Sequence, residues 1–324
     1  MKLQQLRCLK AVVESGLNVT DAAERLFTSQ PGVSRQIRML EDELGVLIFQ
    51  RSGKHLTHVT PEGRQILARA ERILAEVDGI RSLAADFSDE RRGLLRLATT
   101  HTQARYFLPP RIDAFRHDYP EVRLQIEQGG PADIARMAAS GEVDFGIATE
   151  GVAQNRERVM LPAYRWHHCL VVPRDHPLAR TPPADLAAVA AHPLVTYVHG
   201  FTGRGQLERD FRAADLEPDV VLSAADSDVI KAYVRLGLGV GLIARMAYEP
   251  DEDADLVSID ARHLFTEQVT RVGFNRGMFM RGYMYDFLAL LAPHLTLERV
   301  DRALHAADQK GVDAVFADVA LPRY

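Results

Sequence analysis

The chain has few cysteines and no long apolar run. Its two cysteines, Cys8 and Cys169, are too few for a disulfide framework, so a reducing cytoplasm is the expected compartment. No uninterrupted apolar run of about 18 residues occurs, which predicts that the protein has no membrane-spanning helix and no membrane partner. The N-terminal residues MKLQQLRCLK are not followed by an apolar segment, so a secretion signal is not expected either.

Motifs of common enzymes are also missing. The sequence has no Gly-x-Ser-x-Gly elbow, no P-loop and no Cys-x-x-Cys pair. Its one metal-like cluster is His167-His168-Cys169, but neighbouring strand residues point to opposite faces and do not readily share an ion. We therefore predict no catalytic residue, metal or cofactor. An α/β enzyme with a helical oligomerisation domain and a plain anion-binding protein stay as alternatives.

Net positive charge is missing as well, because the formal net charge is −5. A chain that coats polyanions is therefore not expected. The charge is uneven, since the first 65 residues hold 9 Lys+Arg against 7 Asp+Glu and the remainder holds 30 against 37. This modest asymmetry points to the N-terminal region as the place for a nucleic-acid contact.

Residues 1–60 predict short helices followed by a hairpin. Apolar residues recur at helical spacing from Leu3 to Val13, and a second helix starts at an Asn18–Thr20 cap. A third helix begins after Ser29, carries Pro31 in its first turn and ends at Gly45. The apolar run 46–49 and the run 56–59 predict two strands around the turn 51–54.

This arrangement is typical of a helix-turn-helix that places its second helix in the DNA major groove. Gln and Arg side chains read adenine and guanine edges, and a hairpin tip can contact the DNA backbone. The candidate DNA-binding residues are Ser29, Gln30, Pro31, Ser34, Arg35, Arg38, Arg51 and Lys54. The alternative is a small dimerisation domain with a solvated face, which the acidic run 41–43 favours because it would repel phosphate.

A long helix opening at Thr60-Pro61-Glu62 follows the hairpin. Its apolar positions form an unbroken heptad seam: Ile66, Ala70, Ile73, Val77, Ile80, Ala84 and Phe87. A seam this narrow predicts packing on a second helix, and self-pairing is the preferred interpretation. The alternative is a helix that lies on its own domain.

From Gly93 onwards strands and helices alternate, which predicts an α/β fold with mostly parallel sheet, divided into two lobes. The expected crossovers are 151–166 and about 265–269. We expect a winged helix-turn-helix domain at 1–60, a linker helix at 61–92 and a two-lobed α/β domain at 93–324. Its lobe I would span about 93–162 and 268–295, and its lobe II about 163–267. The tail beyond 296 is predicted to be helical.

Threonines follow three of the predicted strands, at the ends where open α/β sheets bind ligands. Thr100 and Thr102 follow the first strand, Thr149 follows another, and Thr202 lies before a helix. Hydroxyls beside helix N-termini suit a small anion or carboxylate, although plain helix capping is an equal alternative. The glycines at 237–241 follow a helix and precede a strand, which is the wrong order for a dinucleotide-binding fingerprint.

Several segments resemble the LysR-type transcriptional regulators. LFTSQPGVSRQI at 26–37, LEDELG at 40–45, LIFQR at 47–51 and TPEG at 60–63 match that family's N-terminal pattern. ATTHTQARY at 98–106, GFTGR at 200–204, DVIKAYVRLGLGVG at 228–241 and YMYDF at 283–287 resemble its CysB-like branch, regulators of sulfur assimilation and cysteine biosynthesis. Trp166-His167-His168 and the tail after Thr296 depart from the branch.

The resemblance implies a winged helix-turn-helix, a dimerising linker helix and a two-lobed effector domain like a periplasmic binding protein. It implies a homotetramer on double-stranded promoter DNA, with RNA polymerase as a further partner. It also implies an inducer of the O-acetylserine or N-acetylserine type, with sulfate or thiosulfate as competing ligands. The implied effector-binding residues are Thr100, Thr102, Gln103, Thr149 and Thr202. A LysR-type regulator of another pathway with a different anionic effector is the alternative.

Overall fold

The computed structural model describes residues 1–53, 55–86, 91–149 and 158–324, with the backbone alone for 81–86. These residues fall into two compact units, which divide the chain after Ser88. No described helix combines the length and apolarity that crossing a membrane requires.

The N-terminal unit consists of helices, a hairpin and one long helix. In chain order these are α1 (Leu3–Glu14), α2 (Val19–Arg25), α3 (Gln30–Leu44), β1 (Phe49–Ser52), β2 (His55–Val59) and α4 (Pro61–Asp86). Asn18 accepts hydrogen bonds from the second and third residues of α2, and Gly45 ends α3 at φ +68°. Leu9, Val12 and Ile37 form part of the core between the helices. The predicted caps therefore define α2 and α3 as the sequence indicated.

The first hairpin strand lies later than predicted. We expected it at 46–49, but β1 runs from Phe49 to Ser52 and pairs antiparallel with β2. The buried Glu41 carboxylate accepts hydrogen bonds from the backbone N–H groups of Ile48 and Phe49, at 3.0 and 3.1 Å. These bonds hold the preceding segment as a loop and leave Leu47 66% exposed. A side chain from α3 thus overrides the strand preference of the apolar run.

Helix α4 divides its heptad seam between two environments. Ala70 is buried in the core of the N-terminal unit, and Ile66 packs partly against that core. Ile73 and Ile80 are exposed instead, by 38% and 65%. The first part of the seam therefore follows the alternative of packing on its own domain. The side chain of Ala84 and all of Phe87 lie outside the described residues.

The C-terminal unit has two lobes, each built on a five-stranded sheet. Lobe I has the strand order β4-β3-β5-β12-β6 and lobe II the order β11-β7-β10-β8-β9. The lobe I elements are β3 (Gly93–Thr99), a π-helical turn (Gln103–Phe107), α5 (Leu108–Asp118), β4 (Val122–Gln128), α6 (Pro131–Ser140), β5 (Phe145–Ala148), β6 (Arg158–Trp166), β12 (Gln268–Asn275), α11 (Gly282–Leu291), α12 (Leu297–His305) and α13 (Gln309–Val315). The lobe II elements are β7 (His168–Pro173), α7 (Pro177–Arg180), α8 (Leu186–Ala190), β8 (Leu194–Tyr197), α9 (Arg204–Ala213), β9 (Val220–Ala224), α10 (Ser227–Arg235), β10 (Val240–Ala244), a 3₁₀ turn (Arg245–Ala247) and β11 (Leu256–Asp260).

The sheets are mixed, so the prediction of mostly parallel sheet is wrong. Strand β3 lies parallel to β4 and β5, and β8 lies parallel to β9 and β10. Strands β12 and β7, however, run antiparallel to both of their neighbours. Strands β7 and β12 are the first strands after each passage of the chain from one lobe to the other. Each enters its sheet from the side of the other lobe, so it runs opposite to the strands beside it.

The two predicted crossovers lie near the observed ones, but both include strands. Residues 158–166 were expected as a connection and instead form β6, which pairs along its whole length with β12. The chain passes to lobe II at His167, a few residues after the predicted lobe boundary. The C-terminal tail forms helices capped by Thr296 and Asp308 and packs on the lobe I core.

Candidate functional site

Helix α3 presents a polar face at its N-terminal end. Ser29 caps the helix by accepting a hydrogen bond from the Gly32 N–H at 3.3 Å, and Pro31 lies in the first turn. Gln30, Pro31, Arg35 and Arg38 are exposed, and Ser34 is half-buried. The opposite side buries Val33, Ile37 and Leu40. The side chains predicted to contact bases therefore lie on the solvent-exposed side of α3. Their contact with DNA stays a prediction.

The turn before α3 exposes an aromatic ring that sequence reasoning did not single out. Phe27 is 98% exposed and has φ +49°, in the left-handed region that bulky residues rarely adopt. The Thr28 N–H bonds back to the Ala23 carbonyl at 2.9 Å, which closes the turn tightly. The backbone geometry of the turn between α2 and α3 therefore turns this ring outward.

Arg51 has a partner inside the protein. Its guanidinium donates to Glu41 Oε2 at 2.7 Å, and the arginine side chain is 28% exposed. The same carboxylate receives the Ile48 and Phe49 N–H groups through Oε1. Glu41 is thus a buried, compensated anchor for the hairpin rather than a free charge that repels phosphate. Lys54, the other predicted hairpin contact, lies outside the described residues.

In the C-terminal unit, the predicted effector residues lie at strand ends where the two lobes meet. We call Thr100, Thr102, Gln103, Thr149 and Thr202 the interlobe set. Thr100 and Thr102 follow β3, and Thr149 follows β5, its parallel neighbour, so they share one end of the lobe I sheet. Thr202 lies between β8 and α9 in lobe II. All are buried except Thr149, which is half-buried.

Aromatic side chains that the sequence did not single out hold part of this set in place. Thr149 Oγ1 receives the indole N–H of Trp166 at 3.1 Å and lies 3.1 Å from Thr270 Oγ1. The Tyr164 hydroxyl donates a hydrogen bond to Gln103 Oε1. Burial is the main reason why the pKa of Tyr164 is raised. Trp166 and Tyr164 are on β6, which the sequence did not predict as a strand.

His168 joins the set from lobe II. Its Nε2 lies 3.2 Å from the Thr202 carbonyl oxygen, and its ring packs edge-on against Trp166 at a centroid distance of 4.8 Å. Complete burial lowers the pKa of His168 to about 4. Burial also raises the pKa of the neighbouring Cys169 thiol, to about 11. His168 and Cys169 pack on opposite faces of the lobe II sheet, so they do not converge on a common ion.

Several buried polar atoms of this region lack a hydrogen-bond partner within the described chain. They are Thr102 Oγ1, Thr202 Oγ1 and His168 Nδ1. A buried polar atom left unpaired costs about 1–3 kcal/mol, so such atoms are rare unless something else satisfies them. These three atoms lie where the lobes meet and can form hydrogen bonds with a ligand there.

The backbone at Thr202 is strained. Thr202 has φ +41°, which is unusual for a β-branched residue, and Gly203 follows at φ +76°. A Cβ on Gly203 would lie 2.8 Å from His168 Cε1, so only glycine fits there. Strain of this kind, held by close packing, is characteristic of binding sites. It brings the N-terminus of α9 against His168 without a side-chain cap on that helix.

The lobes are also joined by polar contacts beside the interlobe set. Asp228 of lobe II lies 3.0 Å from His101 Nε2 and accepts a 2.5 Å hydrogen bond from the Tyr106 hydroxyl, both from lobe I. Lys231, which is buried, donates to the Tyr106 hydroxyl at 3.1 Å and to Asp253 at 2.8 Å. Burial opposes ionisation of Asp228, but the bonds from Tyr106 and His101 leave its pKa below the usual range.

One group of potential metal ligands occurs among the described residues, namely His101, Asp226 and Asp228. Asp226 already caps α10 by accepting from the Val229 N–H at 2.9 Å, and Asp228 is held by Tyr106. These carboxylates therefore have structural partners of their own. Further along, Gly239 and Gly241 follow α10 and lie against Pro193 and Val171.

Comparison with known proteins identifies both units. Residues 3–64 match the model of the bacterial regulatory helix-turn-helix proteins of the lysR family, and residues 88–296 match the LysR substrate-binding domain. The chain is 45% identical to the HTH-type transcriptional regulator CysB of Haemophilus influenzae, over 99% of both chains. It is also 45% identical to the regulator SsuR of Burkholderia cenocepacia, over 95% of this chain and 100% of that one.

Solved structures agree with these matches. The cofactor-binding domain of the Cbl transcriptional regulator is 46% identical and superposes with a TM-score of 0.63, over 66% of this chain and 93% of that one. A full-length OxyR variant from Pseudomonas aeruginosa is 25% identical, with a TM-score of 0.68 over 92% of this chain and 98% of that one. The relatives are transcriptional regulators, so the alternative of an α/β enzyme falls away.

Proposed function

Because the chain belongs to the LysR family of bacterial transcriptional regulators, we propose that it controls genes of sulfur assimilation and cysteine biosynthesis. In this proposal an inducer of the O-acetylserine or N-acetylserine type binds at the interlobe set, and sulfate or thiosulfate competes with it. The support is the 45% identity to CysB of Haemophilus influenzae over nearly the whole chain, together with the CysB-like segments of the sequence.

One observation carries the ligand part of the proposal. Thr102 and Thr202 come from different lobes, and both bury a hydroxyl without a partner among the described residues. Hydroxyls are donors that suit a carboxylate or another oxyanion. A ligand bonded to both would favour one arrangement of the lobes over others, which is how a small molecule shifts a conformational equilibrium.

The DNA part rests on the exposed face of α3. Arg35 and Arg38 are separated by about one helical turn, as base-contacting side chains on a recognition helix are. We propose that Gln30, Ser34, Arg35 and Arg38 contact base edges, and that Ser29 and Pro31 approach the DNA backbone at the start of the helix. Lys54, in the hairpin, stays a predicted contact residue for the DNA backbone. Arg51 supports that hairpin through Glu41.

We propose a homotetramer on double-stranded promoter DNA. Ile73 and Ile80 leave an apolar stripe on α4, which suits pairing with the same helix of a second copy. Lobe II also exposes apolar side chains on β9, on α10 and in the turn that follows α10, where Val221, Tyr233 and Leu236 are exposed by 46%, 38% and 71%. Two separate self-complementary surfaces on one chain can join dimers into tetramers. We propose RNA polymerase as a further partner, on the basis of the resemblance to the LysR-type regulators alone.

A second candidate is a LysR-type regulator of another pathway with a different anionic effector. The observation that favours it is the His167-His168 pair, which departs from the branch pattern and contributes His168 to the interlobe region. The two candidates predict the same DNA-binding surface and differ only in the effector.

The test is a gel mobility shift with the full-length protein and promoter fragments of cysteine-biosynthesis genes. We expect specific complexes whose affinity, footprint or DNA bending changes when O-acetylserine or N-acetylserine is added. Specific DNA binding that neither compound alters, but that another small anion does alter, would favour the second candidate. Absence of specific binding to these promoters would contradict the sulfur proposal itself.

A further inference from the structure

His168 has a fixed hydrogen-bonding role that the threonines around it do not have. Its Nε2 lies 3.2 Å from the Thr202 carbonyl oxygen, which can only accept a hydrogen bond. Nε2 must therefore carry the proton, and Nδ1 is left as a bare acceptor. The full burial of the ring, which lowers its pKa to about 4, keeps His168 neutral near pH 7.

This acceptor is buried and unsatisfied. His168 Nδ1 has no hydrogen-bond partner within the described residues, and the ring itself is completely buried. The ring packs between Trp166, which holds Thr149, and Gly203, which follows Thr202. Threonine hydroxyls can rotate to donate or accept, but the Nδ1 lone pair of a neutral imidazole can only accept. The region therefore combines threonine hydroxyls, which can donate or accept a hydrogen bond, with His168 Nδ1, which can only accept one.

We propose that His168 Nδ1 selects ligands that carry an N–H or O–H donor beside their anionic group, against oxyanions that carry none. This inference rests on the proposed function, because it needs a ligand at the interlobe set. Sulfate and thiosulfate offer only acceptors near neutral pH, so their oxygens would face the lone pair of Nδ1. N-acetylserine offers an amide N–H and a hydroxyl, and O-acetylserine offers an ammonium group.

The sharpest test uses two inorganic anions that differ by one proton. Sulfate and monohydrogen phosphate have similar size and the same charge at pH 8, but only phosphate carries an O–H. We expect titration calorimetry on the full-length protein to give about a 10-fold lower Kd for phosphate than for sulfate, the size expected for one buried hydrogen bond. Sulfate binding as tight as phosphate, with or without proton uptake, would overturn the proposal.

Two substitutions at the same position separate the acceptor from the rest of the ring. His168→Asn keeps an oxygen acceptor close to the Nδ1 position and should retain the preference for phosphate. His168→Gln keeps a donor near the Nε2 position but displaces the acceptor, so its Kd ratio should approach one. An unchanged ratio in His168→Gln would count against the proposal.

N-acetylserine is the third probe and separates this inference from the proposed function. We expect His168→Gln to weaken it about 10-fold while sulfate binding stays the same or improves. If the wild type binds none of the three probes, the proposed function fails and the selectivity with it. If it binds them without the expected phosphate preference, only the inference fails. Should either variant not fold, the wild-type phosphate-to-sulfate ratio decides alone.

Discussion

The two candidate sites of this protein are built in opposite ways. On α3 the polar side chains point into solvent from consecutive turns of one helix, which Ser29 caps and whose Glu41 carboxylate anchors the hairpin. At the interlobe set the polar side chains are buried, come from several separate segments, and include atoms without partners in the described chain. Polar groups on an exposed surface are hydrated, so they cost little free energy in the absence of DNA. Buried polar groups without partners destabilise the fold, and a ligand that bonds to them stabilises it.

Among substitutions that test this comparison, the largest loss of stability is expected at Glu41. Glu41→Ala should destabilise the N-terminal unit by about 3–5 kcal/mol, because it leaves Arg51 and two backbone N–H groups without their shared acceptor. Hydrogen exchange of α3 and the β1–β2 hairpin measures this loss. Asp42→Ala, an exposed neighbour, is the control and should change little. If both variants behaved alike, the DNA-reading unit would not depend on a buried anchor.

The next effect concerns acid and the C-terminal unit. His168 has a folded-state pKa of about 4, below its ordinary value, so the unfolded chain takes up its proton first as pH falls. Its contribution to stability is complete above about pH 6.5 and is lost between about pH 6.5 and 4. We expect about 2 kcal/mol less stability from this group at pH 5 than at pH 7.5.

Urea unfolding followed by the fluorescence of Trp166, the sole tryptophan, measures this acid effect. His168→Asn should flatten the pH dependence, and His305→Asn, at an exposed position in the tail, should keep it. If the free energy of unfolding depended on pH equally in the wild type and in His168→Asn, other buried histidines would cause the loss of stability in acid.

A smaller effect is expected at Arg35, where it should appear as specificity rather than stability. Arg35→Ala should cost about 1–3 kcal/mol of discrimination at one base pair of the operator and leave non-specific affinity nearly unchanged. Binding to operator variants in competition assays measures this. Arg25→Ala, an exposed arginine on α2 that pairs with Glu14, is the matched control. Equal loss on every DNA sequence would assign Arg35 to backbone contact instead.

The smallest effect is at Thr202. Thr202→Val removes a hydroxyl without a partner in the described chain, so stability should change by less than about 0.5 kcal/mol, whereas affinity for N-acetylserine should fall by about 1 kcal/mol. Thr196→Val is the control, because that buried hydroxyl donates to the Leu242 carbonyl at 3.1 Å and should affect stability but not ligand affinity. If Thr202→Val were as destabilising as Thr196→Val, the hydroxyl would have a partner within the protein after all.

The sequence was most informative where neighbours in the chain are neighbours in space. The cap at Ser29, Pro31 in the first turn and Gly45 at the end placed α3, and helical periodicity then placed Gln30, Arg35 and Arg38 on its exposed side. It also indicated the alternation of strands and helices from Gly93 onwards. It failed for the mixed sheet and for β6, because strand direction and pairing depend on where the chain crosses between lobes.

Local pattern also misjudged single residues whose partners are distant in the sequence. Glu41 and Arg51 each carry a charge that suggests solvent or phosphate, yet they pair with each other. The strand preference of 46–48 lost to hydrogen bonds from backbone N–H groups to the Glu41 carboxylate. In each case a tertiary contact, worth more than the local preference, decided the outcome.

For this protein the sequence alone determined the family pattern, the recognition helix and the threonines at three strand ends. Only the tertiary structure decided that Tyr164 and Trp166 hold two residues of the interlobe set, that Thr202 is strained, and that His168, beside Thr202, buries an acceptor without a partner among the described residues. The physical reason is that helix capping and periodicity act within a few residues. Burial and hydrogen-bond satisfaction instead depend on segments that meet only when both lobes are folded.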